Sequence, residues 1–225
     1  MENKINMLNE TINVLVIDDK PENIDSAKRN FARFDQGEVY RPKFNITYVK
    51  NGKSALEEVA SSKYNIVLSD LFLHYTDLDT PANYIENIEN NLWPALSTAY
   101  PNRMEAAKAW TERGEAPPLG LLIGIKAKEA NPSTVVCLCT DTYHHDNLAE
   151  PVYQRVNKFE IGLDDITSEI RKYLQSCDCD KEKAIKELTF LHDEGFTEMD
   201  FNGKYWMRAI KCAFEDFCIN RQREL

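Results

Sequence analysis

Tyr64-Asn65-Ile66-Val67-Leu68-Ser69-Asp70 is an apolar run of strand length that stops on a carboxylate. Unbroken apolar runs of four to eight residues fit a strand buried on both faces of a parallel sheet. In open parallel α/β sheets, ligands and chemistry collect beyond the carboxyl ends of the strands. Two further runs have the same form. Ile12 to Ile17 ends on Asp18-Asp19, and Thr134 to Cys139 ends on Thr140. Three strands that each stop at an acidic or hydroxyl residue point to one shared polar site.

Between these runs the pattern changes period. Pro21 suits the first turn of a helix, and Ile24, Ala27, Lys28, Phe31 and Phe34 recur at helical spacing. Phe44 to Val49 alternates as a second strand, Asn51-Gly52 marks a turn, and Ser54 is placed to cap a helix carrying Ala55, Leu56, Val59 and Ala60. Leu119 to Ala130 reads as a helix ended by Asn131-Pro132. Val152 to Val156 reads as a weak last strand followed by Lys158, and Gly162 as the start of a helix with Ile166, Ile170 and Leu174 in register. The alternation gives five strands, with helices able to cover both faces of a parallel α/β sheet.

Two segments stand outside that rhythm. Residues 74–117 far exceed an ordinary βα connection of about 2–6 residues. They carry helical stripes of their own, such as Ile85, Ile88, Leu92 and Leu96, punctuated by prolines. This is a helical insertion directly beyond Asp70, inside a domain spanning 1–175. Residues 176–225 form a helical C-terminal extension with two stripes. One is Ala184, Leu188 and Leu191; the other is Trp206, Ile210, Ala213, Phe214 and Phe217.

Composition narrows the classes of function. A hydrophobic content of 43% supports a core, and a net charge of −10 argues against a nucleic-acid binder. Lys204, Arg208 and Lys211 near the last stripe could suggest a recognition helix, but Glu215 and Asp216 spoil that face. The stripe reads as core or partner interface. No apolar stretch approaches the ~20 residues of a membrane span, and residues 1–10 lack the features of a signal peptide. The six cysteines form no spaced CxxC pairs, which fits reduced thiols in the cytoplasm.

The ordered set Asp18-Asp19, Asp70, Thr140 and Lys158 resembles a response-regulator receiver domain. Val14 to Asp19, Asn51 to Leu56 and Ile66 to Asp70 carry the resemblance, which covers 12–73 and 118–174. It implies a flavodoxin-like sheet in the order 2-1-3-4-5. It implies that Asp70 accepts a phosphoryl group from a histidine kinase or phosphotransfer protein, a role open to a carboxylate nucleophile. Mg²⁺ would be held by Asp18, Asp19, Asp70 and the backbone carbonyl of Phe72, and Thr140 and Lys158 would contact phosphoryl oxygens. No enzymatic activity beyond phosphorylation and dephosphorylation at Asp70 is expected. An output protein would dock on the insertion 74–117 or on the C-terminal helices.

Taken singly, each residue has a plainer reading. An Asp after a strand can cap a helix, Thr140 can be a turn residue, and Lys158 can be a solvated surface lysine. The sequence also departs from the receiver pattern. Asp141 stands where a small residue usually follows the Thr, His74 and Phe159 stand where prolines are usual, and Arg155 replaces an aromatic. These departures motivate an alternative, a receiver-derived interaction module that works without phosphorylation. A third reading is a Mg²⁺-dependent phosphohydrolase. It lacks the Asp-x-Asp spacing expected at the first strand.

Overall fold

A strand with no polar face needs helices on both sides of it, and the chain supplies them. The computed structural model describes residues 11–35, 43–75, 118–140, 156, 160–164, 167, 170, 173 and 204–224. The described elements are β1 (Thr11–Ile17), α1 (Pro21–Asp35), β2 (Lys43–Val49), α2 (Gly52–Val59), β3 (Ile66–Ser69), α3 (Leu119–Ala130), β4 (Val135–Cys139), β5 (Gly162–Asp164) and α4 (Met207–Glu224). The strands form one sheet in the order β2-β1-β3-β4-β5, and all four pairings are parallel. This is the flavodoxin-like order expected.

Alternate residues of β1, β3 and β4 point to opposite layers. On one face Leu15, Ile17, Val67, Val136 and Leu138 pack under α2 and α3 with Ala55, Val59, Leu122 and Ile125. On the other, Val14, Val16, Leu68, Cys137 and Cys139 pack under α1 and α4 with Ile24, Phe31, Trp206, Ile210 and Phe217. The last aromatic stripe is therefore core: α4 covers the sheet beside α1. The Phe214 ring meets those of Phe34 and Phe44 at centroid distances of 5.7 and 5.9 Å.

Several local expectations shift. Ser54 does not cap α2. Asn51 does, with its side-chain oxygen accepting the Ser54 backbone N–H at 2.9 Å. The fifth strand is Gly162–Asp164 rather than Val152 to Val156, and Val156 is helical and buried. Three residues suffice because β5 only has to pair with Cys137–Cys139 at the sheet edge. Gly162 thus lies in a strand, and helical backbone is found later, at Thr167, Ile170 and Tyr173. The insertion 74–117, apart from His74 and Tyr75, lies outside the described residues, as do the boundary at 175/176 and the stripe from Ala184 to Leu191.

No helix among the described residues is long and apolar enough to cross a membrane.

Candidate functional site

The parallel register brings the carboxyl ends of the central strands to one rim. Ile17 is level with Ser69 and with Val49, and Ser69 is level with Leu138. The next residue along each strand therefore leaves the sheet at the same height. The Asp18 N–H donates to Val49 O at 3.1 Å and the Asp70 N–H to Ile17 O at 2.8 Å, so the backbone is fixed where the carboxylates begin. Asp18, Asp19 and Asp70 converge, each offering a carboxylate oxygen within 4.8 Å of the others.

A fourth group sits among them. The Lys204 ammonium lies 2.6 Å from Asp70 Oδ1 and 3.0 Å from Asp18 Oδ2, with its side chain only 4% exposed. Lys204 stands in the short stretch before α4. That stretch is tied to α1: Ser26 Oγ donates to the Lys204 carbonyl at 2.7 Å, and the Trp206 N–H donates to Asn30 Oδ1 at 3.1 Å. The Tyr205 N–H donates to Thr167 Oγ1 at 3.3 Å. The ammonium also lies 5.4 Å from the centre of the Trp206 ring, within cation–π range.

The three carboxylates differ in how they are satisfied. Asp18 is fully buried and accepts from the Lys20 N–H, from Asn23 Nδ2 at both oxygens, and from Lys204. Asp19 Oδ2 accepts the His74 N–H at 3.1 Å, and the His74 Nε2 lies 3.8 Å from the same oxygen. Asp19 Oδ1 is buried with no hydrogen-bond partner among the described residues. Asp70 Oδ1 also faces the Phe72 N–H at 3.4 Å.

The loop after β3 is held by the start of α2, where the Gly52 and Lys53 N–H groups donate to the His74 and Tyr75 carbonyls at 2.9 Å. Gly120 lets the first turn of α3 press against the same loop. A Cβ there would fall 1.9 Å from the Asp70 carbonyl oxygen.

Burial pushes the Asp70 carboxyl up to about 7, with the Asp18 and Asp19 charges adding to the shift and Lys204 opposing it. Burial and the neighbouring Asp18 also raise Asp19, against the His74 N–H. For Lys204, burial alone would lower the pKa. The Asp18 and Asp70 carboxylates outweigh it and the pKa is raised, so the side chain is an ammonium.

With all three carboxylates ionised, the ammonium answers one of the three negative charges and leaves two, the charge of one divalent cation. An unpartnered buried oxygen on Asp19 and a hard-oxygen donor set suit such an ion, Mg²⁺ included. Asp18, Asp19 and Asp70 would hold it, with the Phe72 carbonyl two residues beyond Asp70.

Of the residues expected from sequence, Asp18, Asp19 and Asp70 come together. Thr140 leaves β4, the strand next to β3, with its N–H donating to Asp164 O at 2.8 Å. Its Oγ1 is buried without a partner among the described residues. Lys158 lies outside the described residues, and β5 follows it in the chain instead of preceding it. Lys204 and Asn23 were missed as site residues. The only sequence signals were a lysine directly ahead of the aromatic stripe and the polar spacing of Asn23, Ser26 and Asn30 on an otherwise apolar helix face.

No protein-family model matches the chain, and neither does any curated protein or solved structure. The fold and the geometry of this rim therefore carry the functional reading.

Proposed function

We propose that the chain is a receiver-type phosphoacceptor, with Asp70 as nucleophile, that takes a phosphoryl group from a histidine kinase or phosphotransfer protein. The observation that carries this reading is the buried Lys204 ammonium 2.6 Å from Asp70 Oδ1, inside a cluster of three carboxylates at the carboxyl rim of a 2-1-3-4-5 sheet. An Asp70 oxygen attacks phosphorus, the P–N bond to the donor imidazole breaks, and the imidazole leaves with a proton. Lys204 offers a fixed positive charge to the transferred group, the role that the resemblance assigned to Lys158. Thr140 Oγ1, buried and unpartnered, offers a hydroxyl to a second phosphoryl oxygen. Such transfers depend on positioning and charge neutralisation. Mg²⁺, when bound, supplies further neutralisation of the carboxylates and the phosphoryl oxygens. A cytoplasmic location accompanies this reading, and an output partner would meet the segment 74–117 or the C-terminal helices.

The test is incubation of the folded protein with Mg²⁺ and a small phosphodonor such as acetyl phosphate, followed by intact-mass measurement. One added phosphate is expected, absent in Asp70→Asn. No added mass with several donors and with phosphorylated histidine phosphotransfer proteins would overturn the reading.

One observation favours the alternative of an interaction module that works without phosphorylation. The Asp70 side chain is only 10% exposed, and Lys204 already neutralises it from within. Under that reading Asp70→Ala, if folded, keeps partner binding. Loss of binding in that variant would count against it.

A further inference from the structure

Helix α1 carries a buried polar stripe on a face that is otherwise apolar. Asn23, Ser26 and Asn30 are buried at i, i+3 and i+7, among Ile24, Ala27 and Phe31. Buried polar groups persist where they are hydrogen-bonded, and all three meet the same segment, residues 204–206. The Ser26 hydroxyl takes the Lys204 carbonyl, the Asn30 side chain takes the Trp206 N–H, and the backbone carbonyl of Asn23 accepts the Trp206 indole N–H at 3.0 Å. Asn23 does one thing more. Its amide nitrogen lies 2.9 Å from Asp18 Oδ1 and 3.0 Å from Asp18 Oδ2.

We propose that Asn23 is a positioning residue of the acidic pocket, fixing the Asp18 carboxylate so that it holds the Lys204 ammonium against Asp70. Asn23 acts through Asp18 and does not itself touch the reacting atoms. A neutral amide suits this work because it satisfies an ionised carboxylate without adding charge. The Lys20 N–H also donates to Asp18 Oδ1 at 3.0 Å, while Oδ2 accepts from Lys204 at 3.0 Å. With both oxygens engaged, Asp18 has little freedom to rotate. The ammonium is then held between two carboxylates of fixed position. The functional meaning of this arrangement rests on the phosphoacceptor reading, but the positioning itself is measurable without it.

The experiment measures acylation of Lys204 by an amine-reactive ester in the native full-length chain, read by peptide mass spectrometry, alongside phosphorylation by acetyl phosphate. The variants are Asn23→Leu, which keeps the size and loses the donor, Ile24→Val as a packing control on the same helix, and Asp18→Asn alone and combined with Asn23→Leu. Lys204 is protected in the natural chain. Asn23→Leu is expected to speed its labelling by about tenfold over the Ile24→Val control, the scale of losing hydrogen bonds to a charged acceptor. In the Asp18→Asn background the same change is expected to alter labelling by less than about twofold, within ordinary additivity. If Asn23→Leu does not fold, Asn23→Ala carries the same comparison.

The proposal is overturned if Lys204 labels freely in the natural chain, if Asn23→Leu matches the control, or if its effect persists undiminished in Asp18→Asn. Asp18-dependent exposure of Lys204 in a chain that takes no phosphate would sink the phosphoacceptor reading and leave the positioning role standing. Phosphorylation of the natural chain with labelling unmoved by Asn23→Leu would do the reverse.

Discussion

Replacing Lys204 by Met removes the ammonium and keeps most of the stem volume. Two carboxylates then lose their counter-charge in a pocket where Asp18 is fully buried and the Asp70 side chain is only 10% exposed. Breaking a buried ion pair from one side costs about 3–5 kcal/mol, because the remaining charge is left uncompensated. For a chain of this size that corresponds to a fall in melting temperature on the order of 10 °C. The loss should depend on pH, with a sign set by Asp70. Its folded pKa, about 7, lies above the ordinary carboxylate value, so between about pH 4 and 7 the folded state binds more protons than the unfolded one. Asp70 therefore destabilises the fold as pH rises through that window, and removing the opposing Lys204 charge raises its pKa further. Lys204 is charged in both states across this window and adds no slope of its own there. Lys204→Met should accordingly fall in parallel with the natural chain between pH 5 and 7 and keep losing stability above pH 7, so that its deficit is largest at pH 8. Urea unfolding at pH 5, 6, 7 and 8 measures this. A variant within about 0.5 kcal/mol of the natural chain at pH 7, the range of ordinary surface substitutions, would mean that Lys204 is not paired in the pocket as described.

Two other perturbations address the same rim. Gly120→Ala would drive a methyl group into the Asp70 carbonyl, so α3 or the loop after β3 must move. The expected cost is about 1–3 kcal/mol or more in denaturant unfolding, with slower phosphorylation at Asp70. A divalent cation at about 100 times its dissociation constant should stabilise the natural chain by about 2.7 kcal/mol. Asp19→Asn should lose most of that gain in a thermal-shift titration with Mg²⁺ or Mn²⁺, whereas equal shifts in both proteins would remove Asp19 from the cation site.

The central strands and their polar ends were legible in the sequence because both are local properties. An apolar run from Ile66 to Leu68 has no amphipathic face, so it must be covered on both sides, and the residue after it must leave the sheet at the rim. The same logic fixed Ile12 to Asp19 and Val135 to Thr140. Helix α3 was legible between Leu119 and Asn131-Pro132 for a similar reason, since a long apolar segment with a proline stop has few other solutions. The fifth strand was not legible. Val152 to Val156 has the β-branched residues of a strand, whereas Gly162–Asp164 has the place beside Cys137–Cys139, and edge pairing is decided by position more than by propensity.

The charge at the centre of the site was beyond local reading altogether. Lys158 looked suitable because it followed an expected strand. Lys204, 186 residues away from Asp18 in the chain, reaches the pocket because α4 packs beside α1, and the side chains of Ser26 and Asn30 with the backbone carbonyl of Asn23 seat the stretch before it. By itself the sequence determined which residues are buried in strands and where three carboxylates leave the sheet, since hydrophobic periodicity and strand length act over a few neighbours. Only the tertiary structure decided which cation neutralises them, because that depends on a contact whose two sides are joined by packing and not by sequence proximity.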